Sequence, residues 1–205
     1  DLFRMDLKKM IITRTDKQKL VDRLNMIQSL AQKIIGKPIT PPLSSEEGLE
    51  PVLIGELVRE RTSQLIDRYR ASSILCSIVP DCDEQVMVWA TSEWLRVALD
   101  ILVDNAIKAV EECAQPQVMV GIRSLTNQQE VEIFVRDTGS GIAPEDQKLL
   151  GEGYIPSRTG KQGMGLGLVM AKMIAHTYQG KLKIGFTGPQ GTEMVITLPV
   201  YQPET

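Results

Sequence analysis

The sequence lacks several features that define large classes of proteins. No stretch approaches the roughly 20 apolar residues that a membrane-spanning helix requires, and no signal-peptide pattern opens the chain. Lysine and arginine number 23 against 26 aspartates and glutamates, so there is no basic excess to neutralise phosphates. We therefore expect a cytoplasmic region that contacts neither nucleic acid nor a membrane.

Cysteine and histidine are also scarce. The cysteines are Cys76, Cys82 and Cys113, an odd number at irregular intervals without paired metal spacing, which favours reduced thiols in a cytosol-like compartment. The single histidine is His176. Since the first residue is Asp1 rather than methionine, we expect a piece of a longer protein.

The apolar pattern divides the chain into three parts. In the first 36 residues a seam of Leu20, Leu24, Ile27, Ala31 and Ile34 alternates steps of four and three, as in a helix lying along a partner helix. An ordinary amphipathic helix on a globular core is the alternative. Residues 37–51, rich in Pro, Ser, Glu and Gly, are predicted to be a linker, and residues 52–205 a domain.

Within that domain, helices and strands are mixed without regular alternation. The spacing predicts helices over Gly55–Arg70, from Ser92 as N-cap to Cys113, and from about Gly165 to Tyr178. Short strands separate them, and most are joined by short turns. The pattern favours an α/β sandwich with a mixed, mostly antiparallel sheet.

The long central helix carries a polar face. Asn105 and Lys108 share this face with Ile101 and Glu112, away from the apolar stripe. An Asn carbonyl can ligate Mg²⁺, and a lysine can meet phosphate as a point charge. Taken alone, the pair is more typical of a solvated helix face.

Two glycine-rich stretches follow. In "RDTGSGI", the Asp137 carboxylate can accept a hydrogen bond from an exocyclic amine, and glycines let a flat ring come close; a plain turn is the alternative. In "GMGLGL", at Gly163–Leu168, glycines open a helix whose free N–H groups favour an anion such as a triphosphate. This stretch lacks the spacing of the Walker A and dinucleotide-binding motifs.

The order of these pieces carries a resemblance. "DILVDNAIKAV", "RDTGSGI", "GMGLGLVMAKMIAHTYQGKL" and "GTEMVITLP" resemble the N box and successive glycine boxes of the ATP-binding domain of sensor histidine kinases, within the gyrase, chaperone, kinase and mismatch-repair ATPase superfamily. The similarity runs from about Val52 to Pro199. It implies a Bergerat-type two-layer α/β sandwich preceded by a helical dimerisation segment, with ATP and Mg²⁺ as cofactors.

The resemblance also implies roles for individual residues. Asn105 would ligate Mg²⁺ with Lys108 near the phosphates, and Asp137 would accept the adenine amino group in a pocket shaped by Gly139 and Gly141. The remaining implied site residues are Thr192 on the adenine side, Gly163, Gly165, Leu166 and Gly167 at the phosphates, and, in a lid over about residues 143–162, Tyr154, Arg158 and Lys161.

Two departures from the family pattern stand out. Ile101 occupies the position, one helical turn before Asn105, where kinases of the family usually have Asn and the hydrolysing relatives a water-activating Glu. His176 falls where the family has a structural histidine, so we expect the phospho-acceptor upstream of Asp1, the alternative being that the intact protein has none.

The implied function is transfer of the ATP γ-phosphate to a histidine on an upstream dimerisation helix, for relay to a response regulator receiver domain. Such a region forms a homodimer through its N-terminal helices and can be the cytosolic part of a membrane-anchored sensor. Two alternatives stay open: a degenerate signalling scaffold without kinase activity, suggested by Ile101, and a serine kinase of the anti-sigma type, which the heptad segment disfavours.

Overall fold

The computed structural model describes residues 48–69, 74–79, 85–124, 129–147 and 166–202. All of them lie within one compact unit, Pro42–Thr205. The predicted dimerisation helix in residues 1–36 lies outside the described residues.

The described unit contains seven strands and three long helices. The strands are β1 (Glu50–Leu53), β2 (Leu75–Val79), β3 (Met87–Ala90), β4 (Gln117–Ser124), β5 (Glu130–Asp137), β6 (Lys181–Gly188) and β7 (Gly191–Pro199), and the helices are α1 (Ile54–Tyr69), α2 (Ser92–Val110) and α3 (Leu166–Thr177).

A five-stranded sheet forms one layer of the unit. Its strand order is β2-β4-β5-β7-β6, with β2 parallel to β4 and every other neighbour antiparallel. The predicted mixed, mostly antiparallel sheet is therefore confirmed. β1 and β3 pair separately as a two-stranded antiparallel sheet.

The helices form the second layer over one face of the large sheet. α2 is central, since it contacts α1, α3, β4 and β5. Its apolar stripe is buried because residues three and four apart share one side of a helix. The buried residues of this stripe are Leu95, Ala98, Leu99, Leu102, Ala106 and Val110.

The start of α2 differs from the prediction by one residue. The N-cap is Thr91, whose backbone carbonyl accepts hydrogen bonds from the backbone N–H groups of Trp94 and Leu95. The Thr91 side chain makes no capping hydrogen bond. Ser92, the predicted cap, is instead the first helical residue.

The opposite face of the sheet carries an ion-pair cluster. Arg123 contacts both Glu132 (2.6 Å) and Glu193 (2.9 Å), Arg136 contacts Glu193 (2.7 Å), and Lys183 contacts Glu132 (2.6 Å). The two carboxylates are buried beneath the longer basic side chains, which shield this face of the sheet.

Candidate functional site

One side of α2 connects two regions that the sequence analysis predicted to bind opposite ends of a nucleotide. Ile101, Asn105 and Ala109 follow each other by one turn, roughly 6 Å of axial rise per step. A Cβ atom at Gly167, near the start of α3, would lie 3.1 Å from Ile101 Cγ2, and one at Gly139 would lie 2.8 Å from the Ala109 carbonyl oxygen. Asn105 therefore lies between the start of α3 and the loop after β5.

Asn105 has an unsatisfied amide group. Its side-chain nitrogen is buried, and the structure gives it no hydrogen-bond partner among the described residues. Burying an amide without a partner costs free energy, roughly 1–3 kcal/mol in proteins. A polar group left unpaired in this way marks a place where a ligand can supply the missing contact.

Asp137 ends β5 and is almost fully buried, with 6% of its surface exposed. Its Oδ1 accepts hydrogen bonds from the backbone N–H groups of Gly139 (2.8 Å) and Thr192 (3.2 Å). Within the described part of the chain, Oδ2 takes no hydrogen bond and so can accept one from a ligand.

Thr192 lies directly opposite Asp137 across the β5–β7 pairing. The predicted site residues Asp137, Gly139 and Thr192 are thus brought together by one hydrogen-bonded carboxylate.

Glycines allow close approaches around this carboxylate. Gly191 has a φ of +121°, and a Cβ atom there would lie 1.8 Å from the Asp137 carbonyl oxygen. Gly141 has a φ of +80°, and its Cβ would lie 2.3 Å from the Gly188 carbonyl oxygen. The loop after β5 and the β6–β7 turn therefore pack backbone against backbone, which only glycine permits at these positions.

Thr187 is a residue of the site that the sequence analysis missed. Its hydroxyl oxygen accepts a hydrogen bond from the Ile142 backbone N–H (2.8 Å) and lies 3.1 Å from the Thr192 hydroxyl. The sequence pattern does not predict Thr187 as a site residue, because the face of the sheet to which its side chain points depends on a register shift in β6 between Ile184 and Phe186.

Burial changes the acidity of two carboxyl groups near α2. Burial raises the pKa of Asp137, and the hydrogen bonds from Gly139 and Thr192 offset part of that rise. Burial also raises the pKa of Asp104, against the opposing charge of Lys108. Asp104 feels the charges of Arg68 and Arg61 on α1 as well, so this carboxyl group interacts with the α1 side of α2.

The structure describes only some of the other predicted site residues. Lys108 is exposed, and Leu166 is the first residue of α3. Tyr154, Arg158, Lys161, Gly163 and Gly165 lie outside the described residues. His176 is exposed in the last turn of α3 and is not among the residues that hydrogen-bond to Asp137.

The residues present fit a Mg²⁺ ion only when a nucleotide supplies further ligands. Across the described ranges there is no group of three His, Cys, Asp or Glu side chains that could hold a metal ion. Proteins usually bind Mg²⁺ through one or two side-chain oxygens together with water and substrate phosphates. The Asn105 side chain can supply one such oxygen, Oδ1, while its unpaired Nδ2 can only donate a hydrogen bond, for example to a phosphate oxygen.

Comparison with known proteins identifies the family. Residues 90–202 match the family described as histidine kinase-, DNA gyrase B-, and HSP90-like ATPase, and the chain belongs to that family. The match includes Asn105, Asp137 and Thr192. It confirms the resemblance drawn from the sequence motifs and identifies the domain as the ATP-binding catalytic domain found in histidine kinases.

Individual relatives agree with this assignment. The chain is 32% identical over 154 residues to the adaptive-response sensory kinase SasA of Crocosphaera subtropica, covering 74% of this chain and 39% of that kinase. The catalytic domain of the histidine kinase ThkA superposes with a TM-score of 0.63 at 21% identity, over 74% of this chain and 97% of that one. The mycobacterial sensor histidine kinase MprB gives 0.60 at 25% identity, with the same coverage.

These likenesses confirm the predicted two-layer α/β fold. The chain spans well under half the length of the curated kinase with which it is compared. Among the helices that the structure describes, none is long and apolar enough to cross a membrane.

Proposed function

We propose that this chain is the catalytic region of a sensor histidine kinase. It binds Mg·ATP and transfers the γ-phosphate to a histidine on a dimerisation helix of the kinase. The observation that carries this proposal is the arrangement along α2. Asn105, with its unpaired amide nitrogen, is one turn from Ile101, which contacts Gly167, and one turn from Ala109, which contacts Gly139; Gly139 in turn donates to the Asp137 carboxylate. A nucleotide lying along this helix would satisfy both groups.

Each end of the nucleotide has a partner in this proposal. Asp137 Oδ2 accepts the adenine amino group, with Thr192 beside it and Gly139 and Gly141 leaving room for the ring. Asn105 holds Mg²⁺, which neutralises charge on the phosphates, while Lys108 contributes a second positive charge. The phosphates lie at the start of α3, at Leu166 and Gly167, since a helix N-terminus favours anions, and Gly163 and Gly165 belong to the same phosphate site in this proposal.

Ile101 favours a protein acceptor over water. Its side chain is partly buried against the core and contacts α3 at Gly167. An alkyl group can neither hydrogen-bond nor deprotonate a water molecule, so this position of α2 supplies no general base for hydrolysis. An imidazole nucleophile needs no such base, because catalysis then rests on positioning and on stabilising charge.

The parts of the protein outside the described residues complete the proposal. Residues 1–36 form a helical segment that dimerises, a linker follows, and the catalytic domain begins with β1 at Glu50 rather than at the predicted residue 52. Tyr154, Arg158 and Lys161 belong to a lid, where the two cations reach the terminal phosphates. The acceptor histidine lies upstream of Asp1, and the phosphate passes on to a response regulator receiver domain.

Calorimetric titration of Mg·ATP into the chain tests the proposal. We expect saturable binding that Asn105→Ala weakens at least about tenfold, equivalent to about 1.4 kcal/mol, because this change removes the proposed metal ligand. The loss of nucleotide affinity should be larger in the presence of Mg²⁺ than in EDTA, since only the metal complex of ATP would use the Asn105 side chain as a metal ligand.

Arg96→Ala is the matched control. Arg96 lies on the same helix but pairs with Glu60 on α1 at 2.9 Å, in an exposed ion pair, so its removal should leave nucleotide affinity unchanged. A folded chain that takes up no Mg·ATP would overturn the kinase proposal. Equal affinities of the Asn105→Ala and unmodified proteins would remove Asn105 from the site.

A further inference from the structure

The edge strand β6 contains a β-bulge beside the base-binding residues. Ile184 pairs with Met194 of β7, but Phe186 pairs with Glu193, so Gly185 is an extra residue without a partner of its own. A Cβ atom at Gly185 would lie 2.3 Å from Glu193 Oε1 and 3.0 Å from Val195 Cγ2, so a side chain there would displace the Glu193 carboxylate from Arg123. Bulges of this kind redirect the side chains that follow them.

The bulge determines which way Thr187 points. Side chains alternate between the two faces of a strand, and one extra residue inverts that alternation. With the bulge, Thr187 pairs with Thr192 on the helix-covered face, opposite the face that carries the ion-pair cluster. Without it, Phe186 would occupy the position opposite Thr192, and Thr187 would point to the other face.

The Thr187 hydroxyl joins the two segments that surround Asp137. It accepts the Ile142 N–H of the loop after β5, and it shares a hydrogen bond with the hydroxyl of Thr192, whose backbone N–H donates to Asp137 Oδ1. Within the described residues the Thr187 hydrogen has one acceptor, the Thr192 hydroxyl oxygen. Donation in that direction leaves the hydrogen of Thr192 available for a ligand.

We infer that Thr187 is a positioning residue for adenine recognition: its hydroxyl fixes Thr192 and the Gly139–Ile142 loop around Asp137, so that Asp137 Oδ2 meets the exocyclic amine of the purine. This inference rests on the proposed nucleotide site. It makes the bulge at Gly185 part of that site rather than an irregularity of an edge strand.

The test compares two nucleotides across a small set of variants of the whole chain. ATP carries the exocyclic amine, whereas purine riboside triphosphate lacks it. We expect Thr187→Val to raise the dissociation constant of Mg·ATP about tenfold and that of the analogue by less than about threefold, because only ATP uses the positioned carboxylate oxygen. Thr187→Ser, which keeps the hydroxyl, should restore the preference for ATP.

Thr197→Val is the matched control. Thr197 is a buried threonine of β7 whose hydroxyl donates to Glu132 on the other face of the sheet (3.4 Å). Its loss should leave the ratio of the two dissociation constants unchanged. If Thr187→Val fails to fold by circular dichroism, Thr187→Ala gives the same comparison without the additional methyl group.

The outcomes separate the inference from the proposed function. A Thr187 variant that weakens both nucleotides equally, or a serine variant that does not restore the ratio, overturns the positioning role while ATP binding stands. Failure of the unmodified chain to bind either nucleotide overturns the proposed function and this inference together.

Discussion

At the scale of single residues, Asp137 is held in a fixed orientation by the backbone. Both N–H groups that reach it, from Gly139 and Thr192, bond to the same oxygen, Oδ1. The two oxygens therefore have different roles, one structural and one free for a ligand. A carboxylate held in this way presents a pure acceptor to the base.

This asymmetry predicts the effect of Asp137→Asn. The amide oxygen should keep the two backbone hydrogen bonds, because the amide nitrogen cannot accept them, and the NH₂ group then faces the base. It would meet the amino group of adenine donor to donor, but could donate to the 6-oxo group of hypoxanthine. We expect ATP affinity to fall at least about tenfold and the ratio of ITP affinity to ATP affinity to rise. Competitive displacement of a fluorescent nucleotide measures both affinities.

Asp137→Ala is the control for that exchange. It removes the acceptor without adding a donor, so it should weaken ATP binding without favouring ITP. If Asp137→Asn retains the unmodified preference for ATP over ITP, the base does not contact this side chain.

Asp137, Gly139 and Thr192 are predicted from sequence motifs to lie on the adenine side of one site, and the structure joins them by hydrogen bonds, whereas no motif predicts Thr187. Asp137 and Gly139 belong to a short motif in which an acidic residue and glycines follow a strand, a pattern that reflects local backbone geometry, and Thr192 belongs to the motif "GTEMVITLP". Thr187 reaches the same place only through the extra residue Gly185, and a one-residue shift in a strand leaves no periodic signal.

At the scale of elements, the β6–β7 turn contains two glycines, Gly188 and Gly191, with opposite surroundings. Gly191 combines a φ of +121° with a backbone contact of 1.8 Å for an added Cβ, whereas a Cβ at Gly188 would meet nothing within 4 Å. Gly191→Ala should lower the free energy of unfolding by at least about 2 kcal/mol, because it adds backbone strain and displaces the carbonyl of Asp137. Urea unfolding followed by circular dichroism measures this.

Gly188→Ala controls for the glycine-to-alanine change itself. It should alter stability by no more than about 1 kcal/mol and can even stabilise, because alanine restricts the unfolded chain. Similar losses for the two variants would mean that the close approach at Gly191 has no special role.

Element positions were easier to predict from the sequence than their pairing. The long helix from residue 92 and the closing strands carry clear periodic patterns, and they form where expected. The stretches that became β2 and β3 are neighbours in the sequence, but β2 pairs with β4 and β3 pairs with β1. β1 begins at Glu50, in a stretch whose composition is typical of a linker, because a four-residue strand is too short to show alternation.

At the scale of the whole molecule, the two faces of the sheet are stabilised in different ways. The inner face is buried by the helices through apolar contacts. On the outer face, Glu132 and Glu193 are buried, each with about 2–3% of its surface exposed, under Arg123, Arg136 and Lys183. Since Arg123 bonds to strands β5 and β7 at once, this cluster ties together the strands that carry Asp137 and Thr192.

The cluster predicts a specific dependence of stability on pH. Burial opposes ionisation of Glu193, but hydrogen bonds from Arg123 and Arg136 outweigh it and lower its pKa, and Lys183 and Arg123 do the same for Glu132. A carboxyl group whose pKa is lower in the folded state stabilises the fold above its unfolded pKa, about 4.3 for glutamate. That contribution is lost as the pH falls from there through the folded pKa.

Glu193→Gln should therefore cost about 1–3 kcal/mol of unfolding free energy at pH 7, because Arg136 loses its anionic partner and Arg123 keeps only Glu132. The difference from the unmodified protein should shrink as the pH falls below about 4. Urea unfolding at a series of pH values measures both. Glu60→Gln, which breaks the exposed pair with Arg96, should cost no more than about 1 kcal/mol at pH 7. A Glu193→Gln deficit that stays constant from pH 7 to pH 3 would show that the charge of this side chain does not stabilise the outer face, since protonating Glu193 in the unmodified protein would then cost none of the stability that the substitution removes.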